Sequence, residues 1–336
     1  MKNCSSMKSS TETKTENNQT VKWPIVYHSK YNVKFFGFEK LHPFDASKWG
    51  NVIEYLKQEK LLTNESLNIP EEIQKDELLK IHTKKYLNSL NWSFRVAAVA
   101  EMPILAFLPN IMLQRMYLQC MRYQVGGSVL ASKLAMKHGW AINIGGGFHH
   151  CSKGRGGGFC PYADITILIH SLFEDSCLKV QKAMIIDLDA HQGNGHERDF
   201  KEDERVFILD AYNVNIYPND KIAEEGINRA VELSNYTADS EYLPLIEKYI
   251  EKSLNKFHPD IIVYNAGTDI LEGDPLGKLC VTANGIIERD KIVFMKARER
   301  RIPIVMLTSG GYLKCTAKII ADSILNLADL GLISSY

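Results

Sequence analysis

A chain of 336 residues, 45% hydrophobic and 24% charged, can fill one large α/β domain or two ordinary ones. Its 40 Lys and Arg match 40 Asp and Glu, so the formal charge is zero, which argues against a broad nucleic-acid footprint. Seven cysteines, dispersed and without a Cys-x-x-Cys, argue against a disulfide framework or a zinc ribbon and fit a reducing intracellular compartment, nuclear or cytoplasmic.

Residues 1–20 are nearly free of apolar side chains and read as a disordered tail, ahead of one domain over 21–330 and a short tail at 331–336. No secretory leader or myristoylation signal is visible. A short strand is expected at 23–27. Leu41-His42-Pro43-Phe44-Asp45 then turns into a helix through Trp49, Val52, Ile53 and Leu56, with Asp45 as its N-cap. Leu78, Leu79, His82, Tyr86 and Leu87 recur at helical spacing, with His82 and Tyr86 at the edge of a core. The apolar stretch 96–113 contains Glu101, Pro103, Pro109 and Asn110, so it does not read as a membrane span, which needs about 20 mostly apolar residues. It either plugs a flank of the sheet or lines a groove.

A helix over 125–138 feeds a strand at 140–144 that runs into Gly145-Gly146-Gly147-Phe148-His149-His150. A second glycine cluster follows at Gly154, Gly156, Gly157 and Gly158. Ile165, Leu168, Ile169, Leu172 and Phe173 have a helical period, capped by Asp164. Strands at 183–188, 206–209, 261–264 and 304–307 alternate with helices near 241–257, 284–300 and 317–330. This alternation, with continuous apolar strands, predicts a single α/β domain: a mostly parallel sheet with helices on both faces.

Chemistry gathers where the apolar strands end, and ligands of open parallel sheets sit at those carboxyl ends. Asp187, Asp189 and His191 alternate, so they share a face of the extended chain. Buried together, they call for a cation. A carboxylate and an imidazole suit zinc; Asp269, after the strand at 261–264, supplies a third ligand and leaves a position open for water and substrate. His149 and His150 offer a general base and its partner. Tyr312, on the Ser309-Gly310-Gly311 turn, offers a donor where oxyanion charge develops.

Read together, His42-Pro43-Phe44-Asp45, the run 145–150, Arg155-Gly156-Gly157-Gly158-Phe159-Cys160, and the runs 186–200, 265–274 and 308–312 resemble the histone deacetylase family, in particular its class IV branch, over about 23–327. The resemblance implies an arginase/deacetylase-like fold with the active site at the strand ends. It implies zinc-dependent removal of acyl groups from lysine in histones or other proteins, with one catalytic Zn2+ and a structural K+. By motif, Asp189, His191 and Asp269 look like the zinc ligands. His149 and His150 look like the tandem catalytic histidines, with His150 the base. Asp187 resembles the carboxylate that orients His149, its backbone helping to hold the potassium ion. Tyr312 resembles the carbonyl-polarising tyrosine, and Phe159 and Tyr217 the walls of an acyl-lysine tunnel. The Gly158 carbonyl would accept the substrate amide N–H.

Two departures from class I stand out. Asn194 replaces an acid behind the second histidine, so His150 should be less cationic. Asp210 follows a strand where class I carries Ser. The class IV resemblance further implies a preference for long fatty acyl chains, and partners among co-repressor or other deacetylase complexes, without nucleic-acid binding or a membrane span. Three other readings compete. An arginase-like ureohydrolase needs two bridged metals, yet Ala190 and Gln192 flank His191. A dinucleotide site needs Gly-x-Gly-x-x-Gly opening a helix, and the turn here holds two histidines. A catalytically weak scaffold would have lost chemical residues that are all present.

Overall fold

Runs of Ile, Val and Leu without polar alternation suit burial on both faces of a sheet. In the computed structural model, which describes residues 22–34, 37 and 44–336, such runs form one seven-stranded sheet. Its strands are β1 (Ile25–Val26), β2 (Trp140–Asn143), β3 (Ala183–Asp187), β4 (Val206–Asn213), β5 (Arg229–Leu233), β6 (Ile261–Asn265) and β7 (Ile304–Leu307). They lie in the order β1-β2-β7-β6-β3-β4-β5, and every pairing is parallel. The tail 1–20 and the His42-Pro43 part of the entry turn lie outside the described residues.

The helices are α1 (Lys48–Gln58), α2 (Lys75–Ile81), α3 (Lys84–Ser89), α4 (Ser93–Val99), α5 (Asn110–Leu113), α6 (Gln119–His138), α7 (Asp164–Glu174), α8 (Asn194–Phe200), α9 (Lys221–Glu224), α10 (Asp239–Lys256), α11 (Ala283–Glu299) and α12 (Thr316–Asp329). Alternate strand residues enter opposite cores, as the pleat requires. Ile142, Ile262, Tyr264, Ile304 and Met306 pack with α1, α10, α11 and α12. Ala141, Val263, Val305 and Leu307 pack with α6 and α7 on the other face. The segment 96–118 joins neither core. Val96, Leu105 and Leu113 form a third cluster with Tyr86, Cys151 and Tyr162, against the loop that leaves β2.

Register positions the site. Asn143, Leu307, Asn265, Asp187 and Asp210 stand side by side across β2, β7, β6, β3 and β4, a largely polar row at the carboxyl side of the sheet.

Several local expectations are corrected. β4 runs to Asn213, so Asp210 lies inside a strand rather than after it. The helical spacing at 78–87 belongs to two helices, α2 and α3, broken at His82. That ring lies 3.1 Å from the Lys153 carbonyl through Nδ1, and Nε2 accepts the Ala163 N–H at 3.1 Å. Burial pushes its pKa down to about 4, which keeps it neutral for this pairing. Ser47, not Asp45, is the N-cap of α1, although the Asp45 carboxylate accepts the Ser47 N–H. Asp164 is the first helical residue of α7, and its carboxylate reaches across to the N–H groups of Gly147 and Phe148 at 2.9 and 2.7 Å. Among the described residues, no helix is long and apolar enough to cross a membrane.

Candidate active site

The end of β3 releases a chain of buried polar groups. Asp187 Oδ1 accepts from Asn265 Nδ2 at 2.8 Å and from the Asp189 N–H at 3.2 Å. Its Oδ2 meets His149 Nδ1 at 2.9 Å and His196 Nε2 at 2.7 Å. Two residues on, Asp189 accepts from Ser309 Oγ and the Gly310 N–H, both at 3.2 Å, so β7 helps to aim it. His191 Nδ1 lies 3.1 Å from Asp189 Oδ1 and 2.9 Å from Asp269 Oδ2. The candidate ligand atoms of Asp189, His191 and Asp269 all fall within 4.8 Å of one another.

Electrostatics tests whether this set suits a metal. Burial and the neighbouring Asp189 charge push Asp269 up to about 7. Burial opposes charge on His191, yet its bonds to Asp189 and Asp269 raise it to about 10. Two buried carboxylates this close call for positive charge, which either a proton on His191 Nδ1 or a bound cation in its place supplies. A divalent ion answers that requirement, and two carboxylates with one imidazole form a donor set that suits zinc with a coordination position left open.

The adjacent histidines differ in charge. Burial disfavours a cationic His149, but the Asp187 and Asp189 carboxylates overcome it and raise its pKa to about 9. Burial first, then the charges of His149 and His191, hold His150 well below the usual imidazole range. His150 Nδ1 lies 3.0 Å from Asn194 Oδ1, and the Asn194 amide donates to Asp220 at 3.1 Å, so the carbonyl oxygen faces the ring. A neutral His150 therefore donates from Nδ1 and keeps a lone pair on Nε2.

The expected tunnel residues surround this pair. Gly158 has φ of +52°, and a Cβ there would come within 2.3 Å of His150 Cδ2, so the close approach needs glycine. Its carbonyl lies 3.1 Å from Cys160 Sγ. Phe159 is held by its N–H on the Val99 carbonyl and by Tyr117 Oη on its own carbonyl, both at 3.0 Å. The Tyr217 ring stands 5.0 Å from His150 and is exposed, so it sits at the rim. Tyr312 packs edge-on against Phe44 and Phe159. Burial and the Asp269 and Asp189 charges hold its phenol well above its ordinary pKa, so it remains a donor. His149, His150, Gly158, Phe159 and Tyr312 line a cavity of about 130 Å³, whose remaining wall is formed by Trp49, Met102, Leu105, Leu113 and Met121 among others.

Two buried cations were not anticipated from the sequence. Lys48 Nζ donates to the Gly310 carbonyl at 2.6 Å and to Thr268 Oγ1 at 3.2 Å, gripping the turn before Tyr312. Burial pushes its pKa down to about 8, against the pull of Asp269, Asp189 and Asp274. Arg289, wholly buried on α11, donates to the Leu188 carbonyl at 3.2 Å and the Gly267 carbonyl at 2.5 Å. It thereby ties together the two segments that carry Asp189 and Asp269. Both share an apolar helix face, Lys48 one turn before Val52 and Arg289 between Ile286 and Val293, and that position was the available signal. Arg289→Met should cost about 3–5 kcal/mol, since it leaves Asp290 buried without its cation. Chemical denaturation measures this, and a loss below about 1 kcal/mol would refute the clamp.

A parallel α/β sheet with this polar cluster at its strand ends has the form of an amidohydrolase. The chain belongs to the histone deacetylase family, whose domain matches residues 42–328. It is 51% identical to histone deacetylase 2 of Arabidopsis thaliana over 311 residues, which cover 93% of this chain and 80% of that protein. It is 29% identical to acetoin utilization protein AcuC of Staphylococcus aureus over 293 residues, 82% of this chain and 74% of that one. Among solved structures, the HD domain of HDA15 aligns with a TM-score of 0.73 over 92% of this chain and 88% of its own, at 17% identity, a likeness of fold. The ureohydrolase and dinucleotide readings give way to this family.

Proposed function

We propose that the chain is a zinc-dependent lysine deacylase of the class IV branch, acting on long fatty acyl chains in preference to acetyl. The observation that carries the chemistry is geometric: the ligand atoms of Asp189, His191 and Asp269 converge within 4.8 Å of one another, and beside them His149 is paired to Asp187 at 2.9 Å and His150 to the Asn194 carbonyl at 3.0 Å. Zinc, when bound, supplies Lewis acidity to the amide carbonyl and makes water acidic enough to lose a proton near neutral pH. His150 takes that proton at Nε2. His149, steadied by Asp187, delivers a proton to the departing lysine amine. The Tyr312 hydroxyl donates to the carbonyl oxygen as negative charge develops. Phe159 and Tyr217 flank the lysine stem, and the Gly158 carbonyl takes its amide N–H.

Asn194, meeting His150 where class I carries an acid, supports the class IV placement. A structural K+ belongs to the same reading, with backbone carbonyls as its ligands. The Asp187 carboxylate already meets four partners, and burial raises the pKa values of both Glu197 and Asp210 beside it. Substrates would be acylated histones or other proteins in the nucleus or cytoplasm, within co-repressor or other deacetylase complexes.

The apolar cavity supports the chain-length preference. Part of its 130 Å³ takes the lysine stem, since Gly158 and Phe159 also line it, and the apolar wall of Met102, Leu105, Leu113 and Met121 beyond offers a longer chain a surface that an acetyl group would leave unused. Each buried CH2 contributes about 0.8 kcal/mol, part of which is lost in ordering the chain. We expect kcat/KM for a myristoyl-lysine peptide to exceed that for its acetyl twin at least roughly tenfold. Equal values, or a preference for acetyl, would refute the preference and leave the cavity as a packing gap.

A further inference from the structure

We infer that the outer surface of α4, the turn Pro103–Phe107 and α5 docks this enzyme on an anionic lipid bilayer. Trp92, Phe94, Phe107 and Ile111 are 63%, 63%, 87% and 62% exposed, a concentration of large apolar side chains that water disfavours. They belong to one surface. The Trp92 and Phe94 rings lie 6.2 Å apart. Ser93 Oγ donates to the Leu108 carbonyl at 2.7 Å, and Asn110 Nδ2 to the Leu90 carbonyl at 3.1 Å, strapping 90–94 to 108–110.

The charges fit a bilayer. Residues 84–118 carry Lys84, Lys85, Arg95 and Arg115 against Glu101 alone, in a chain whose total charge is zero. Aromatic and aliphatic side chains with basic flanks are the set that sits at the headgroup boundary, and each basic residue adds attraction to anionic lipid. The same segment also faces the cavity. Met102, Leu105 and Leu113 wall it from within, and Val99 and Tyr117 hold Phe159. A bilayer under the patch would thus lie next to the acyl-binding wall. The biological use of this contact rests on the fatty-acyl reading, but lipid binding is measured without substrate. Equal turnover of acetyl and myristoyl peptides would therefore sink that reading alone.

The test is flotation of the full-length, zinc-loaded chain with vesicles of phosphatidylcholine alone or mixed with phosphatidylserine. We expect binding to the mixed vesicles, weakened roughly tenfold by each of Trp92→Ser and Phe107→Ser. Lys85→Glu with Arg115→Glu should abolish the preference for the anionic mixture. All of these variants should keep the wild-type melting temperature and turnover of a soluble peptide. Absence of wild-type flotation overturns the inference, as does undiminished flotation of the serine variants. Light scattering that shows a wild-type dimer broken by Phe107→Ser would assign the surface to a second copy of the chain instead.

Discussion

Asp269→Asn and His191→Ala should each abolish metal retention and deacylation together, with zinc falling from about one ion per chain to near none. The donor set has only three side chains, and a three-ligand site does not tolerate the loss of one. The carboxylates are also placed by bonds that do not involve His191. Asp269 Oδ1 accepts the Ala190 N–H at 2.9 Å, and Asp189 accepts from Ser309 and Gly310. The scaffold should therefore survive the substitutions, and each variant should melt near chelator-treated wild type. Zinc stoichiometry on purified protein, read beside turnover, decides the matter. Full occupancy with near-normal turnover in either variant would remove these residues from the metal set.

The sequence displayed the centre of this site because strand periodicity is simple. Asp187, Asp189 and His191 alternate behind an apolar run, and the sheet brings Asn265 and Asp269 alongside them. What it hid depends on distance in sequence. Asp164 looks like a local helix cap, yet its carboxylate serves the Gly147-Phe148 turn, because a buried N–H finds whichever acceptor the fold brings near. β5 was missed because only Val231 and Leu233 of Arg229–Leu233 are buried, the faint pattern of an edge strand. His82 breaks a helical period because its ring is committed to Lys153 and Ala163, more than seventy positions on. The stretch 96–113 left two readings open, and the structure sets aside the plug on the sheet's flank: its residues join neither sheet core but form a third apolar cluster, and Met102, Leu105 and Leu113 line the cavity.

Tyr312→Phe should fold as wild type and lose roughly 10²–10³ in kcat. The substitution removes only an oxygen, so the question is whether the hydroxyl or the ring holds the turn. The structure places the holding elsewhere. Lys48 grips the Gly310 carbonyl, Asp274 accepts the Tyr312 N–H at 2.9 Å, and the ring rests against Phe44 and Phe159. None of these contacts uses the phenol oxygen, so the melting temperature should not move. The hydroxyl stays protonated because burial and the two nearby aspartates raise its pKa, and a protonated phenol is the form that donates to a developing oxyanion. His150→Ala provides the comparison: it should be similarly slow with zinc retained, since His150 is proposed as a base and lies outside the three-donor set. A Tyr312→Phe enzyme with wild-type kcat would exclude the donor role. A large drop in melting temperature would mean that the hydroxyl supports the turn.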